Sequence, residues 1–535
     1  MRPNRYYSGL GDPERWNLPE ALAEQGHRWP DVIWLTTTDG ETLTFGEAAR
    51  DARQMAGYFS SLGIRPGDMV PIMLPNGLDF IRVWLGLGTL GAVAVLLNTE
   101  LRGAFLEHQL RNCGGELVVV DASILPNVEA VAQCVQTIQR VVVDTDACGI
   151  SERLTRLPFA AWRRAPLFEG PLPSSRDIAS VIYTSGTSGP SKGVLMPHAH
   201  CALFGIGAIE SLALRATDRY YTVLPLFHAN GLYMQIGATL LSGVSVVLRP
   251  RFSATAWLSD IRDYGITVTN ILGVMASYIL AQPGTPEDRK HALRVLLSAP
   301  NIPSQEVEFR KRFAIADVMS CYGMTEVNIP IYSKLGEPCN GAVGHVLSNY
   351  FEIMVADPET DKPVPSGEIG EIMVRPSTPS GFMAGYHAMP EKTVEAWRNL
   401  WFHTGDAGTM GADGIVTFID RIKDCIRRRG ENISAAEVDA AVGTLAGVAE
   451  VAACAVPSPL TGGEDEILLS IVLSPGTNLT PAEIVAHADA VLPNFARPRY
   501  VSFVAELPKT ATGKIQRATL RRNGTVGAWD REVAR

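Results

Sequence analysis

The segment Tyr183-Thr-Ser-Gly-Thr-Ser-Gly-Pro-Ser-Lys-Gly193 carries three glycines, five hydroxyls after the tyrosine and one lysine. It directly follows an apolar run, Ala179–Tyr183, expected to be a strand. Glycines allow positive φ and expose successive N–H donors, and such nests bind anions. Hydroxyls add donors to phosphate oxygens, and Lys192 adds a positive charge. The loop is not the GxxxxGK[ST] type. Counted from Gly186, Lys192 has the right offset, but Ser191 replaces the second glycine and Gly193 the Ser/Thr. Other suggestive patterns fail on context. Gly86-Leu-Gly88-Thr-Leu-Gly91 spells GxGxxG, yet it is expected to close a helix rather than open one after a strand. His198-Ala-His200 has no partner ligands at metal spacing and reads as solvated or capping. Phe309–Phe313 reads as a helix surface. Arg427-Arg428-Arg429, beside Glu431, reads as a solvated face with a phosphate-binding option.

The elements that must hold such a loop follow from hydrophobic patterning. Helical patterns alternate with apolar strands at Val70–Leu74, Ala92–Leu97, Leu117–Val120 and Val141–Val143. A second series follows at Tyr221–Leu224, Ser245–Leu248, Val268–Leu272 and Val295–Leu297. This rhythm predicts α/β layers. Beyond Gly341, short runs (Phe351–Val355, Ile369–Val374, Ile415–Ile419) between Pro/Gly turns predict a small β-barrel or sheet. The last stretch predicts a compact α+β unit: helix Ala435–Leu445, strands Val451–Val456 and Ile467–Leu473, helix Pro481–Val491, strand Tyr500–Phe503. The 535 residues are 46% hydrophobic and 19% charged, with net charge −9. That composition suits several folded domains and argues against a protein coating nucleic acid or anionic membrane. Eight cysteines without a CxxC pair give neither a disulfide framework nor a zinc site. The uncharged run Val83–Thr99 is too short to span a bilayer and reads as a buried helix ending near Gly91, then a strand. With no signal peptide at the N-terminus, a cytoplasmic protein is expected.

Five motifs together resemble the adenylate-forming superfamily of acyl-CoA synthetases, aryl-CoA ligases, peptide-synthetase adenylation domains and luciferases. They occur in the family's order: the loop above, Tyr322-Gly-Met-Thr-Glu326, Trp401-Phe-His-Thr-Gly-Asp406, Asp420 to Ser434 (DRIKDCIRRRGENIS) and Leu507 to Arg517 (LPKTATGKIQR). Weaker matches are Leu224-Pro-Leu-Phe-His228, Ser298-Ala-Pro300 and His198. The sequence departs from the family at Ser298 (glycine there), His200 (asparagine) and Ala435 (often proline). In flavour the chain is nearest the carnitine/crotonobetaine, medium-chain or aryl CoA ligases.

The resemblance implies a large N-terminal domain, residues 1–422, of doubly wound α/β subdomains plus the small barrel. A smaller mobile α+β domain, 423–535, would turn about a hinge at Lys423. It implies an ATP-dependent acyl-CoA ligase that makes an acyl-AMP and then an acyl-CoA. ATP would contact Thr184, Ser185, Gly186, Thr187, Ser188, Gly189 and Lys192, with Ser298, Ala299, Pro300, Tyr322 and Gly323 at the adenine. Asp406 would take the ribose hydroxyls, and Arg421 would contact ribose or phosphate. Glu326 would hold Mg2+, a hard cation that suits a carboxylate. Thr325, Glu326, His228 and Lys514 would be catalytic, Lys514 stabilising charge in the transition state. Gly430 and Glu431 would line the channel for coenzyme A, with Arg427–Arg429 near its phosphates. The acid would meet His228, Asn230, Gly231, Tyr233, Met234 and Val327, a mostly apolar set suggesting an uncharged, medium-sized acyl or aryl group. A stand-alone adenylation enzyme loading a carrier protein is the alternative. The implied partners are small molecules, with a homodimer left open.

Overall fold

A computed structural model describes residues 5–101, 103–144, 153–184, 191–421, 425–428, 431–458, 465–492, 496–510 and 513–533. Two large sheets dominate it. In the first, strands run in the order Gly385–Tyr386, Lys192–Pro197, Ile178–Thr184, Val93–Leu96, Met69–Met73, Leu117–Val120, Arg140–Val143 and Thr155–Pro158. The pairings from Ile178–Thr184 onward are parallel, and the two strands at the other edge are antiparallel. The second sheet runs Asp317–Met319, Val295–Ala299, Val268–Leu272, Arg219–Thr222, Ser245–Leu248, Ile33–Thr37 and Thr42–Thr44, parallel except at the last strand. Almost every expected strand is present, with ends shifted by one to three residues.

The helices Phe45–Ser61, Leu78–Leu90 and His198–Ser211 supply the core shared by the inner faces of both sheets. Val70, Ala94 and Leu96 of one sheet and Val246, Leu248 and Val268 of the other belong to that core. Their alternate neighbours, such as Met73, Val93 and Val95, pack into a separate outer core. Period-two alternation thus places the two faces of one strand in different cores. The helix Leu78–Leu90 stops at Gly91, whose φ of 81° is open to glycine at little cost. Gly86–Gly91 therefore closes a helix, as expected. No helix among the described residues is long and apolar enough to cross a membrane.

Residues 351–421 form an antiparallel sheet built on Phe351–Ala356, Gly370–Pro376, Trp401–Met410 and Val416–Arg421. From Ile426 onward the chain makes two cores of its own. One gathers Ile426, Val438, Ile467 and Ile484, the other Cys454, Leu468 and Leu520. The strands Val448–Pro457, Asp465–Leu473, Tyr500–Phe503 and Trp529–Asp530 form its sheet.

Three expectations are corrected. His198 and His200 are neither solvated nor capping: both are fully buried, because the helix they open is covered on all sides. Phe309 and Phe313 are core, stacked on each other and edge-on to Trp257. Arg428 does not offer its charge to a phosphate. Its guanidinium is buried against Glu466, with Nε 2.8 Å from Oε2, and it also donates to the Arg497 carbonyl.

Candidate active site

Parallel α/β sheets present loops at the C-terminal ends of their strands, and ligands gather where the strand order reverses. The strand Ile178–Thr184 ends at Thr184, which lies opposite Lys192 in the returning strand. Ser185, Gly186, Thr187, Ser188 and Gly189 lie outside the described residues. The flanks are tightly held. Ser191 accepts from His108 Nε2 at 2.8 Å through its carbonyl and from Gln109 Nε2 at 3.2 Å through its hydroxyl.

The second motif sits at the tip of a hairpin, Cys321–Met324 against Asn328–Tyr332. Glycine is required at 323, because a Cβ there would come within 2.1 Å of the Asn328 carbonyl oxygen. The tip delivers Glu326, only 6% exposed, to the loop strand. Its Oε1 accepts from the Thr184 hydroxyl at 3.1 Å and from the Tyr386 hydroxyl at 3.0 Å. Lys192 Nζ lies 4.1 Å from the centre of the Tyr386 ring. Burial, then the Glu326 charge, raises the Tyr386 pKa, so the phenol keeps its proton. Thr325 is half-buried beside this cluster.

Tyr322 donates to Asp406 Oδ2 at 2.7 Å, and its ring stacks on Phe418. Asp406 is buried in the strand Trp401–Met410, in backbone register with Arg421. Glu371 anchors the motif around it. It accepts the Gly405 N–H at 2.8 Å and lies 2.9 Å from His403 Nδ1. Ser298, Ala299 and Pro300 end the strand Val295–Ala299, with the Ser298 hydroxyl donating to the Pro300 carbonyl at 3.2 Å.

His228 follows the strand Arg219–Thr222 in the second sheet. Burial, then the positive charge of Lys514, pushes its pKa down to about 4. Lys514, 286 positions along the chain, is thus felt as a charge at His228. It sits exposed in a turn where the Thr510 N–H donates to the Lys514 carbonyl at 2.8 Å and the Lys514 N–H to the Thr510 hydroxyl at 3.1 Å. After His228 comes a π-helix, Asn230–Gly237, a form frequent at functional sites. Gly231 lets it start close to the preceding turn, since a Cβ would meet the Pro225 carbonyl at 2.5 Å. Asn230 Oδ1 accepts from Gln235 and Asn270.

Thr184, Lys192 and Glu326 thus converge, as do Tyr322 and Asp406. Tyr233 and Val327 are fully buried, and the Tyr233 hydroxyl donates to Ser180 within the sheet, its ring packed on Trp84 and Phe204. Met234 is likewise fully buried. Lys423 and Gly430 lie outside the described residues. Glu431 pairs with Arg428 through the backbone of a two-stranded ribbon. Tyr386, Glu371 and the contacts of His200 were not legible in the sequence. A Gly-Tyr pair and a Gly-Glu pair were their only signals, and both are common.

The chain is similar to known proteins over nearly its whole length. A family model described as AMP-binding enzyme matches residues 22–387, and one described as AMP-binding enzyme C-terminal domain matches residues 437–514. The chain is 32% identical over 519 residues to a sulfoacetate–CoA ligase of Cupriavidus necator, covering 95% of this chain and 98% of that one. It is 30% identical over 493 residues to a crotonobetaine/carnitine–CoA ligase of Salmonella typhimurium, covering 90% and 93%. Among solved structures it is similar to an anthranilate CoA ligase in complex with anthranoyl-AMP, with a TM-score of 0.83, 27% identity and coverage of 96% and 98%. ATP-bound MatB from Rhodopseudomonas palustris gives 0.82, 26%, 95% and 98%. With the first family model matched over residues 22–387, more than half of its length, this chain belongs to the AMP-binding enzyme family.

Proposed function

We propose that this enzyme, an AMP-forming acid–CoA ligase working through an acyl-adenylate, divides its two steps between its two parts. In the first step a carboxylate oxygen of the acid attacks the α-phosphorus of ATP, and pyrophosphate leaves. Such in-line displacement needs positioning and charge neutralisation rather than a covalent nucleophile. The loop with Thr184 and Lys192 takes the phosphates, Thr325 bonds the α-phosphate or the acid, and Asp406 takes the ribose hydroxyls with Arg421 nearby. Tyr322, Gly323 and the Ser298–Pro300 turn border the adenine.

The donor set fits Mg2+. Glu326 and Thr184 offer hard oxygens at one point, and Mg2+ is usually held by one or two carboxylates, water and the substrate phosphates. Bound there, the ion would neutralise phosphate charge. Lys514 stabilises the negative charge that builds between carboxylate and α-phosphate. The contact of Thr184 with Glu326 at 3.1 Å carries this reading, because it sets a carboxylate at the end of the strand that leads into the hydroxyl- and glycine-rich loop. With its pKa near 4, His228 is neutral at pH 7 and serves as wall and hydrogen-bonding group, not as a charge.

In the second step the sulfur of CoA attacks the acyl carbonyl, the thiol proton is lost and AMP leaves. We assign the domain boundary to 422/423, with rotation about Lys423 withdrawing Lys514 and bringing Gly430–Asn432 to line the CoA channel. The acid is a medium-sized acyl or aryl carboxylate bordered by His228, Asn230 and Gly231. ATP and CoA as co-substrates suit a cytoplasmic enzyme. An ATP–pyrophosphate exchange assay with a panel of carboxylic acids, then mass detection of thioester with CoA, tests the proposal. Acid-dependent exchange with thioester supports it. Exchange without thioester would move the acceptor to a carrier protein, and no exchange with any acid would remove the adenylation claim.

A further inference from the structure

His200 is fully buried, yet its ring faces two separate segments, the turn at Thr325–Asn328 and the stretch at Gly381. Nε2 lies 2.8 Å from the Thr325 carbonyl oxygen and Nδ1 lies 2.9 Å from the Gly381 carbonyl oxygen. The Asn328 side-chain amide donates to the His200 carbonyl at 2.9 Å and stands 3.3 Å from Nδ1. Burial lowers the His200 pKa, so the ring is neutral and has one N–H to give. With the proton on Nε2, that nitrogen donates to Thr325 and Nδ1 accepts from the Asn328 amide, while the Gly381 carbonyl oxygen faces the unprotonated Nδ1 in packing contact only.

Both segments lead to Glu326. Thr325 precedes it. Asn328 follows two residues later at φ 72°, a left-handed conformation that asparagine tolerates better than most residues. Two residues after Gly381, the Met383 N–H donates to the Glu326 carbonyl at 3.1 Å, and Tyr386 in the same segment donates to its carboxylate. The pattern of the family has asparagine at position 200. A shorter side chain reaches less far than an imidazole and cannot serve both ring-nitrogen positions at once.

We propose that His200 is a positioning residue for the phosphate end of the ATP site, clamping the turn that aims Glu326 at Thr184. It touches neither ATP nor the acid and acts through Glu326, so the inference rests on the reading of Glu326 given above. Losing the ring leaves the Thr325 carbonyl short of a donor in a dry interior, and the Asn328 amide keeps only the backbone carbonyl of residue 200. The turn then relaxes, and the Glu326 carboxylate moves.

The test is calorimetric titration of the full-length protein with MgATP and, separately, with AMP, for the wild type, His200→Ala, His200→Gln and His200→Asn. AMP lacks the β- and γ-phosphates and needs Glu326 least. His200→Ala should weaken MgATP binding roughly tenfold or more, as displacing a positioned group does, with AMP binding changed less than about twofold. Glutamine places an amide N–H near the Nε2 position and should recover most of the MgATP affinity. Asparagine reaches only the Nδ1 position and should not. Unchanged MgATP binding in a cooperatively melting His200→Ala, or equal losses for MgATP and AMP, overturns the proposal. Should His200→Ala not fold, equal MgATP affinities of the Gln and Asn variants overturn it. Failure of the wild type itself to bind MgATP would instead strike the ATP site, and the inference with it.

Discussion

The phosphate side of the site and the lysine that serves it are built in opposite ways. Glu326 is buried and fixed by Thr184 and Tyr386, on a turn clamped by His200 and Asn328. Lys514 is exposed, on a short turn held by Thr510, in a unit whose cores, among the described residues, contain none before Ile426. A group that must hold one geometry is locked into the interior. In the proposed mechanism, the group that leaves between steps sits exposed on a part with cores of its own. Separate cores make relative motion inexpensive, because no large apolar surface has to be exposed for it.

The contrast can be broken most forcefully at Lys514. Lys514→Ala should lower acid-dependent ATP–pyrophosphate exchange roughly 100- to 1,000-fold, the scale of removing one transition-state charge stabiliser. Its melting temperature should not change, because the side chain is exposed. Thioester formation from added acyl-AMP should be nearly intact. A similar loss in both half-reactions would mean that Lys514 is not withdrawn between them.

The independence of the two parts is sharpened at Arg428. Arg428→Met leaves Glu466 charged and unpaired in a buried site, which costs on the order of 3 kcal/mol. That loss should fall on the C-terminal unit alone. Thermal unfolding followed by hydrogen exchange should show early opening in 431–510 and unchanged protection in the helix His198–Ser211. Uniform destabilisation would contradict separate cores.

The buried interior of the large part has its own pH signature. Burial lowers the His198 pKa to about 4 from the ordinary 6.5. The unfolded chain therefore takes up a proton between pH 6.5 and 4 that the folded chain refuses. This contribution to stability is fully present above pH 6.5 and lost as pH falls toward 4, on the order of 3 kcal/mol in all. His198→Leu should flatten the denaturation midpoint over that window, and an unaltered pH slope would show that the ring is not shielded. The smallest effect is expected at Tyr386. Tyr386→Phe removes one donor to Glu326 and should weaken MgATP binding about tenfold, with AMP binding unaffected. A loss of AMP binding would place Tyr386 at the nucleoside instead.

Where the sequence was legible, local physics decided. Strands such as Leu117–Val120 and Ser245–Leu248 are short apolar runs between turns, and Pro481–Val491 carries its own capping box of Thr480 and Glu483. The motifs carrying Lys192, Glu326, Asp406 and Lys514 were readable because their residue types and order are unusual together. What escaped depended on tertiary neighbours. His198 and His200 read as solvated because a polar residue opening a helix usually is, and only the packing of that helix shows otherwise. Arg428 looked like a phosphate ligand until its partner, Glu466, came from 38 positions away. Glu371 and Tyr386 act through long-range contacts that no local pattern announces.

The most direct measurement compares the two half-reactions in one pair of proteins. Wild type and Lys514→Ala are assayed for acid-dependent ATP–pyrophosphate exchange, then for thioester formation from the matching acyl-AMP and CoA. A large loss in exchange with thioester formation retained is the predicted result. Equal rates in exchange would contradict the account at its centre, because the exposed lysine would then have no part in making the acyl-adenylate.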